Sequence, residues 1–347
     1  MQLRVPPLAA AVLMAISSFA IATPSAQAAE SSTHNACSNW VDIDGFSDTL
    51  DKAVTGDATV SELSGLSVDA NGQILAVADE SRLFTLDSRT KRPVSVLPLV
   101  DENGQPLDSE AVAVDRDGTR LVTSETEPSI LRYTRTGKFI GRLPVPDSLQ
   151  VAPAGKAADN LTFEGMALLP GADTLVASME GSLTGDSAGI RRLQTWRRAG
   201  NSSNFRVAAQ YGFQADAGLN ISDIASAGDG RLLVLERGYT PGVGNTARLS
   251  LADPRRASDV SRVDALTGQP GVRLVSKTLL ADIADCPSLG ATTKQPQPNP
   301  LLDNIEGVTA VGHTRDGRLK LLMVSDDNGN ATQITRLYEL TVRLPRS

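Results

Sequence analysis

The chain has 347 residues, with 33 basic and 40 acidic side chains and a formal net charge of −7. No basic run or aromatic–basic stripe is present and aromatic residues make up 4%, which argues against nucleic acid as a partner. Two histidines, His34 and His313, and two cysteines, Cys37 and Cys286, exclude histidine-rich or thiolate metal sites and leave a Ser-His-Asp hydrolase without its imidazole.

Residues 1–28 carry one charge, Arg4, an apolar stretch over 8–22 and the small-residue sequence Ala26-Gln27-Ala28. This pattern predicts a leader cut after Ala28 and export to the periplasm or beyond, and no later stretch is apolar enough for stable membrane insertion. Residues 29–347 then form one domain, a monomer by expectation. In an oxidising compartment Cys37 and Cys286 are expected to pair, joining the N-terminal segment to a late part of the chain. Trp40 to Phe46 reads as a strand lying beside the C-terminal run 334–344.

From residue 61 onward one pattern recurs five times. A carboxylate heads an apolar or alternating run at Glu62, Glu110, Glu164, Asp223 and Glu306. A tight turn follows, such as Asp69-Ala70-Asn71-Gly72, Asp115-Arg116-Asp117-Gly118 or Thr314-Arg315-Asp316-Gly317, whose Asx and Gly residues tolerate positive φ. A second apolar run then ends in acid again, at Asp79-Glu80, Glu125, Glu180, Glu236 and Asp326-Asp327. Because a hairpin runs down and back, all these acids are expected on one face.

The repeats lie between 48 positions apart (Glu62 to Glu110) and 83 apart (Asp223 to Glu306). This spacing suits one four-stranded blade per repeat of an all-β propeller. Five blades are visible; a sixth is expected in the widest gap, over residues 249–283, with Val272-Arg273-Leu274-Val275 as its best strand. A five-bladed ring with a long insertion is the alternative. The connections entering and leaving the acidic face are the long ones, which is where binding sites are usually built.

A ring of carboxylates needs neutralising, since two like charges about 4 Å apart repel by roughly 4 kcal/mol at an effective dielectric near 20. Calcium, a hard cation that accepts flexible oxygen clusters, is the expected cofactor. Its candidate ligands are Glu62, Glu110, Glu164, Asp223, Glu236, Glu306 and Asp326. Arg237, Arg82 and Arg248 are the candidate anion-binding groups, because a guanidinium grips phosphate or carboxylate with two hydrogen bonds.

Four stretches carry a family resemblance: Glu62-Leu63-Ser64-Gly65-Leu66 with Ala76-Val77-Ala78-Asp79-Glu80; Phe163-Glu164-Gly165-Met166-Ala167; Leu233-Val234-Leu235-Glu236-Arg237-Gly238-Tyr239; and Asp303-Asn304-Ile305-Glu306-Gly307 with Val324-Ser325-Asp326-Asp327-Asn328. In these the chain resembles the phytase-like β-propellers described as having esterase-like activity of phytase. The resemblance implies an exported, calcium-associated propeller that hydrolyses phosphate esters, with a small anionic ester as partner. Glu164 or Glu306 would serve as general base and Arg237 as anion clamp. Two repeats depart from the pattern, Glu110 being followed by alanine and the fourth repeat having Asp223 in place of Glu. The lysine cluster expected for phytate is not evident. A metal-dependent lactonase or carboxylesterase, and a non-enzymatic envelope binding propeller, are the competing expectations.

Overall fold

The computed structural model describes residues 1–3, 35–200 and 202–346. The chain divides into Met1–Thr33 and His34–Ser347. The leader expected over residues 1–28 lies, apart from residues 1–3, outside the described residues. Within the second unit five four-stranded antiparallel sheets account for nearly all regular structure. After β1 (Val41–Ser47) and a small ladder of β2 (Val54–Thr55) and β3 (Ala58–Thr59), blade 1 comprises β4 (Leu63–Val68), β5 (Ile74–Ala78), β6 (Arg82–Leu86) and β7 (Pro93–Pro98). Blade 2 is β8 (Val112–Val114), β9 (Arg120–Ser124), β10 (Ser129–Tyr133) and β11 (Phe139–Arg142). Blade 3 is β12 (Phe163–Leu168), β13 (Thr174–Met179), β14 (Ile190–Arg197) and β15 (Arg206–Gln214). Blade 4 is β16 (Asn220–Ser226), β17 (Leu232–Thr240), β18 (Gly244–Asp253) and β19 (Ser276–Asp282). Blade 5 takes β20 (Asn304–His313), β21 (Leu319–Asp326) and β22 (Leu337–Val342), and β1 completes it at the outer edge.

Strands β4, β8, β12, β16 and β20 each lead a blade and touch one another in a closed ring, so the fold is a five-bladed propeller. The expected sixth blade does not form. Residues 254–275 hold two prolines, glycines 268 and 271 and several charges, which leaves no second apolar run for Val272 to Val275 to pair with. The segment instead runs over the outer strands of blade 3, where Val260 N and Val275 N donate to Gln210 O and Gly212 O, both at 2.8 Å. Val260 and Leu266 are buried against Ile190 there, with Val272 and Leu274 packed on them.

The core is divided among the seams between blades. Leu63, Ile74 and Phe84 pack with Leu322, Val324 and Leu337 between blades 1 and 5, and Leu233, Leu235 and Leu249 pack with Ile305, Val308 and Met323 between blades 4 and 5. Each fully buried Leu, Ile or Phe contributes about 1.5–3 kcal/mol, so every seam is a substantial adhesive surface. Trp196, fully buried between blades 2 and 3, satisfies its indole by donating to Pro144 O at 2.6 Å. The N-terminal strand pairs with the last strand from Val41↔Val342 to Ser47↔Leu337, and Cys37 and Cys286 are joined by a disulfide.

The inner strands approach too closely for side chains at three points. A Cβ on Gly65 would lie 2.4 Å from Glu110 O, one on Gly165 2.4 Å from Ile224 N, and one on Gly307 2.9 Å from Ser64 O. Glycine after the repeated acid or serine is therefore a spacing requirement of the ring. No helix among the described residues is long and apolar enough to cross a membrane.

Candidate active site

The ladder between first and second strands fixes which residues face the channel. Four of the inner strands carry an irregularity at the same place, at Ser64, at Glu164 with Gly165, at Ser222 and at Glu306. A bulge adds one residue to one strand and re-aims side chains. Glu110 holds the corresponding position in blade 2, immediately before Ala111, whose N–H donates to the side-chain Thr123 Oγ1 at 2.8 Å. The upper ring is thus Ser64, Glu110, Glu164, Ser222 and Glu306.

A second ring lies at the ends of the second strands. Asp79 N donates to Glu62 O (3.1 Å), Glu125 N to Asp108 O (2.9 Å) and Glu180 N to Thr162 O (2.7 Å). The same register pairs Arg237 with Asn220 and Asp326 with Asn304. Equivalent positions are therefore Asp79, Glu125, Glu180, Arg237 and Asp326: four acids and one guanidinium.

This register corrects several sequence expectations. Asp223 stands one residue beyond the ring, in the place that Gly65, Gly165 and Gly307 take in other blades. Its buried carboxylate accepts from Ile224 N (2.7 Å) and Val308 N (2.8 Å), tying blades 4 and 5 together. Glu62 lies two residues before the ring, beside Glu80 and Asp327; burial, then these two acids, raise its pKa. Glu236, adjacent to Arg237, points to the opposite side of β17, where it accepts from Asp216 N (2.7 Å) and pairs with Lys277 Nζ (2.6 Å). Arg82 sits at the edge of blade 1 against Glu80 (3.1 Å). Arg248 closes on Asp216 and Asp282, both at 2.8 Å, so neither arginine reaches the rings. Asp327 is held by Lys52, by Ser61 Oγ (2.6 Å) and by Glu62 N (3.0 Å).

Of the predicted residues, the rings bring together Glu110, Glu164, Glu306, Asp326 and Arg237. Two groups of three carboxylates have oxygens within 4.8 Å of one another: Asp79, Asp108 and Glu110 between blades 1 and 2, and Glu125, Glu164 and Glu180 between blades 2 and 3. Asp108 went unnoticed in the sequence because it falls in a turn-like stretch ahead of the repeat; its spacing, two before Glu110 as Glu62 is two before Ser64, was the available signal.

Glu110 and Glu164 are at least nine-tenths buried and accept no hydrogen bond from the described residues. Their pKa values are pushed well above the ordinary carboxylate range, first by burial and then by neighbouring acids, Asp79 for Glu110 and Glu110 for Glu164. Burial raises Asp79 to about 8, with Glu306 adding to it, and Asp326 to about 9, again with Glu306 adding. Burial raises Glu125 to about 7, against the Thr162 N–H that donates to it at 3.0 Å.

Arg237 answers this charge. Its guanidinium lies 2.8 Å from Glu306 Oε1 and 3.7 Å from Glu180 Oε1; burial alone would lower its pKa, but Glu306, Glu164 and Glu180 more than offset that. Among the described residues it is the one cation that ion-pairs with a ring carboxylate. Asn304 Nδ2 also donates to Glu306 Oε1 at 2.8 Å, and Asn220 Nδ2 to Glu180 Oε1 at 3.1 Å.

Gly185-Asp186-Ser187-Ala188-Gly189 has the spacing of a serine-hydrolase elbow, but it connects β13 to β14 with no helix after it, and Asp186 is tied to Arg192 at 2.7 Å. His313 lies at the far end of β20 from the acids.

Among solved structures the chain is similar to a gluconolactonase from Xanthomonas campestris (13% identity, 82% of this chain and 73% of that one, TM-score 0.42). It is also similar to a PQQ-bound aldose sugar dehydrogenase from Streptomyces coelicolor (15% identity, 87% of this chain and 98% of that one, TM-score 0.42). No curated protein matches the sequence. The family described as "Phytase-like: Esterase-like activity of phytase" matches residues 58–329, a span that holds every residue of both rings, and the chain belongs to that phytase-like family.

Proposed function

We propose that the protein is an exported, calcium-dependent hydrolase of phosphate esters, with its reaction centre at the acidic end of the channel. The observation that carries the reading is the single guanidinium of Arg237 set into a ring otherwise made of acids. That arrangement provides cation sites and one anion site within reach of each other, and family membership supports hydrolysis.

The donor set fits a hard cation. All the converging groups offer oxygen, and Glu110 and Glu164 are buried carboxylates that accept no hydrogen bond from the described residues, which is costly unless a positive charge joins them. Asp79, Asp108 and Glu110 would hold the calcium ion. When bound, calcium supplies polarisation of a phosphoryl oxygen and acidification of a coordinated water. Arg237 binds the remaining phosphoryl oxygens. Glu306, already engaged by Arg237 and Asn304, positions that guanidinium, so the base role expected for either glutamate falls to Glu164, whose oxygens no donor occupies. Burial, then the neighbouring Glu110 and Glu180, raise the proton affinity of Glu164, which suits it to take a proton from the attacking water.

Export is supported by the leader expected over residues 1–28 and by the disulfide, a bond characteristic of oxidising compartments. The test is phosphate release by the purified protein from a panel of esters, in calcium and then in excess EDTA. Release that requires calcium is expected. Absence of release from every ester in calcium overturns the reading, and release of an acid from lactones or carboxylic esters under the same conditions would replace it with the lactonase alternative.

A further inference from the structure

The chemistry of the ester's organic half is legible in the hairpin that carries Arg237. Strand β17 continues past Arg237 as a regular ladder, Gly238↔Thr246, Tyr239↔Asn245 and Thr240↔Gly244. Alternation along a strand puts residues 235, 237 and 239 on one side. The other side at Gly238 is closed, since a Cβ there would lie 2.7 Å from both Gly218 O and Leu219 Cδ2. Tyr239 therefore shares the face of Arg237, one strand repeat of about 6–7 Å farther from the rings.

Tyr239 is 61% exposed and is the one aromatic ring in the exposed class among the described residues; Val243, across the hairpin tip, is 55% exposed. The tip is nonetheless anchored. Asn245 N donates to Gln297 Oε1 at 2.7 Å, and Gly244 lies against Gln297, Pro296 and Pro298 with no room for a Cβ. An aromatic ring on the same strand face as a guanidinium, one strand repeat beyond it on an anchored hairpin, suits a ligand with one compact anionic group and an uncharged ring. A polyphosphorylated ligand would meet one cation and the seven carboxylates of the two rings.

Resting on the hydrolase reading above, we propose that Tyr239 is a specificity-determining platform and that the substrate class is phosphate monoesters of aromatic or other ring-bearing, uncharged alcohols. Arg237 takes the phosphoryl group and the Tyr239 ring stacks on the alcohol.

Binding of phenylphosphonate and of methylphosphonate, which cannot be hydrolysed, to the full protein in calcium tests this by calorimetric titration. The wild type is expected to bind the phenyl compound about three- to tenfold more tightly, the range of an aromatic pair. Tyr239→Ala is expected to reduce that ratio to about one without weakening methylphosphonate, and Tyr239→Phe to keep it. A ratio near one in the wild type, a ratio unchanged in Tyr239→Ala, or failure of both phosphonates to bind overturns the proposal. If the ratio behaves as expected while no ester is hydrolysed, the hydrolase reading fails and the platform stands.

Discussion

The two ends of the central channel are built from the same five strands and differ in almost everything else. At one end, irregularities at Ser64, Glu164, Ser222 and Glu306 swing polar side chains inward and the second strands add five charged positions, four acids and Arg237. At the other end a cavity of about 210 Å³ is lined by Leu66, Val68, Val112, Met166, Ile224, Val308 and their neighbours, below which the chain turns tightly through Asx-Gly pairs. The backbone ladder is common to both ends. The difference teaches that one extra residue per inner strand suffices to turn a plain structural pore into a charged cup, because it breaks the alternation that would otherwise carry apolar side chains to the rim.

The comparison breaks most completely at Arg237. Arg237→Gln removes the one cation that, among the described residues, pairs with the rings; kcat/KM for a phosphate ester is expected to fall by about 100- to 1000-fold, the usual cost of losing a charged transition-state contact. In EDTA the same variant is expected to melt at lower temperature than the wild type. Equal loss of activity and unchanged melting in Arg237→Lys would show that guanidinium geometry, not a positive charge alone, matters.

Spacing comes next. Gly65→Ala drives a methyl to 2.4 Å from Glu110 O, and overpacking of this kind costs about 1–3 kcal/mol or more; chemical denaturation should show it, whereas Gly72→Ala, in open space at φ +81°, is expected to cost about 1 kcal/mol through conformation alone.

The third prediction concerns pH. Asp79, Glu125 and Asp326 have folded-state pKa values raised to about 8, 7 and 9. A raised value means the folded state holds protons that the unfolded state releases, so their contribution is fully present below about pH 4 and is lost as pH rises through 7 to 9. In EDTA the melting temperature should therefore fall between pH 5.5 and 8.5. Calcium competes with those protons and should restore more stability at pH 8.5 than at pH 5.5. Asp108→Asn should abolish most of that calcium-dependent gain, and a variant that keeps it would move the cation to the Glu125, Glu164 and Glu180 group.

The smallest effect is expected at the uncharged end, where Thr309→Val changes the cavity lining without touching either ring; melting temperature should shift by no more than about 0.5 kcal/mol equivalent, with turnover and calcium response unaltered.

Much of this was readable in advance. The five repeats with their Asx-Gly turns gave the blades, Trp40 to Phe46 was expected beside the last strand, and Cys37 and Cys286 pair as expected. What the sequence concealed was register. Asp223 looked like a fourth-repeat counterpart of Glu164, yet the bulge assigns that place to Ser222 and turns the aspartate into a clasp for Ile224 N and Val308 N. Glu236 and Arg237 both appeared to reach the rim, but neighbours on a strand point oppositely, and Lys277 claims the glutamate. The sixth blade was inferred from length, and length does not distinguish four paired strands from an excursion that, among the described residues, forms no strand of its own.

Blade 5 is made of the first strand of the domain and its last three. Asp79 and Glu110 come from early blades, Glu306 and Asp326 from the final one, and β1 can take its place beside β22 only after Val342 exists. Synthesis from the N-terminus therefore yields no intermediate length of chain in which both rings are closed: the circle of charged positions is complete only once the last blade is translated and fastened by β1.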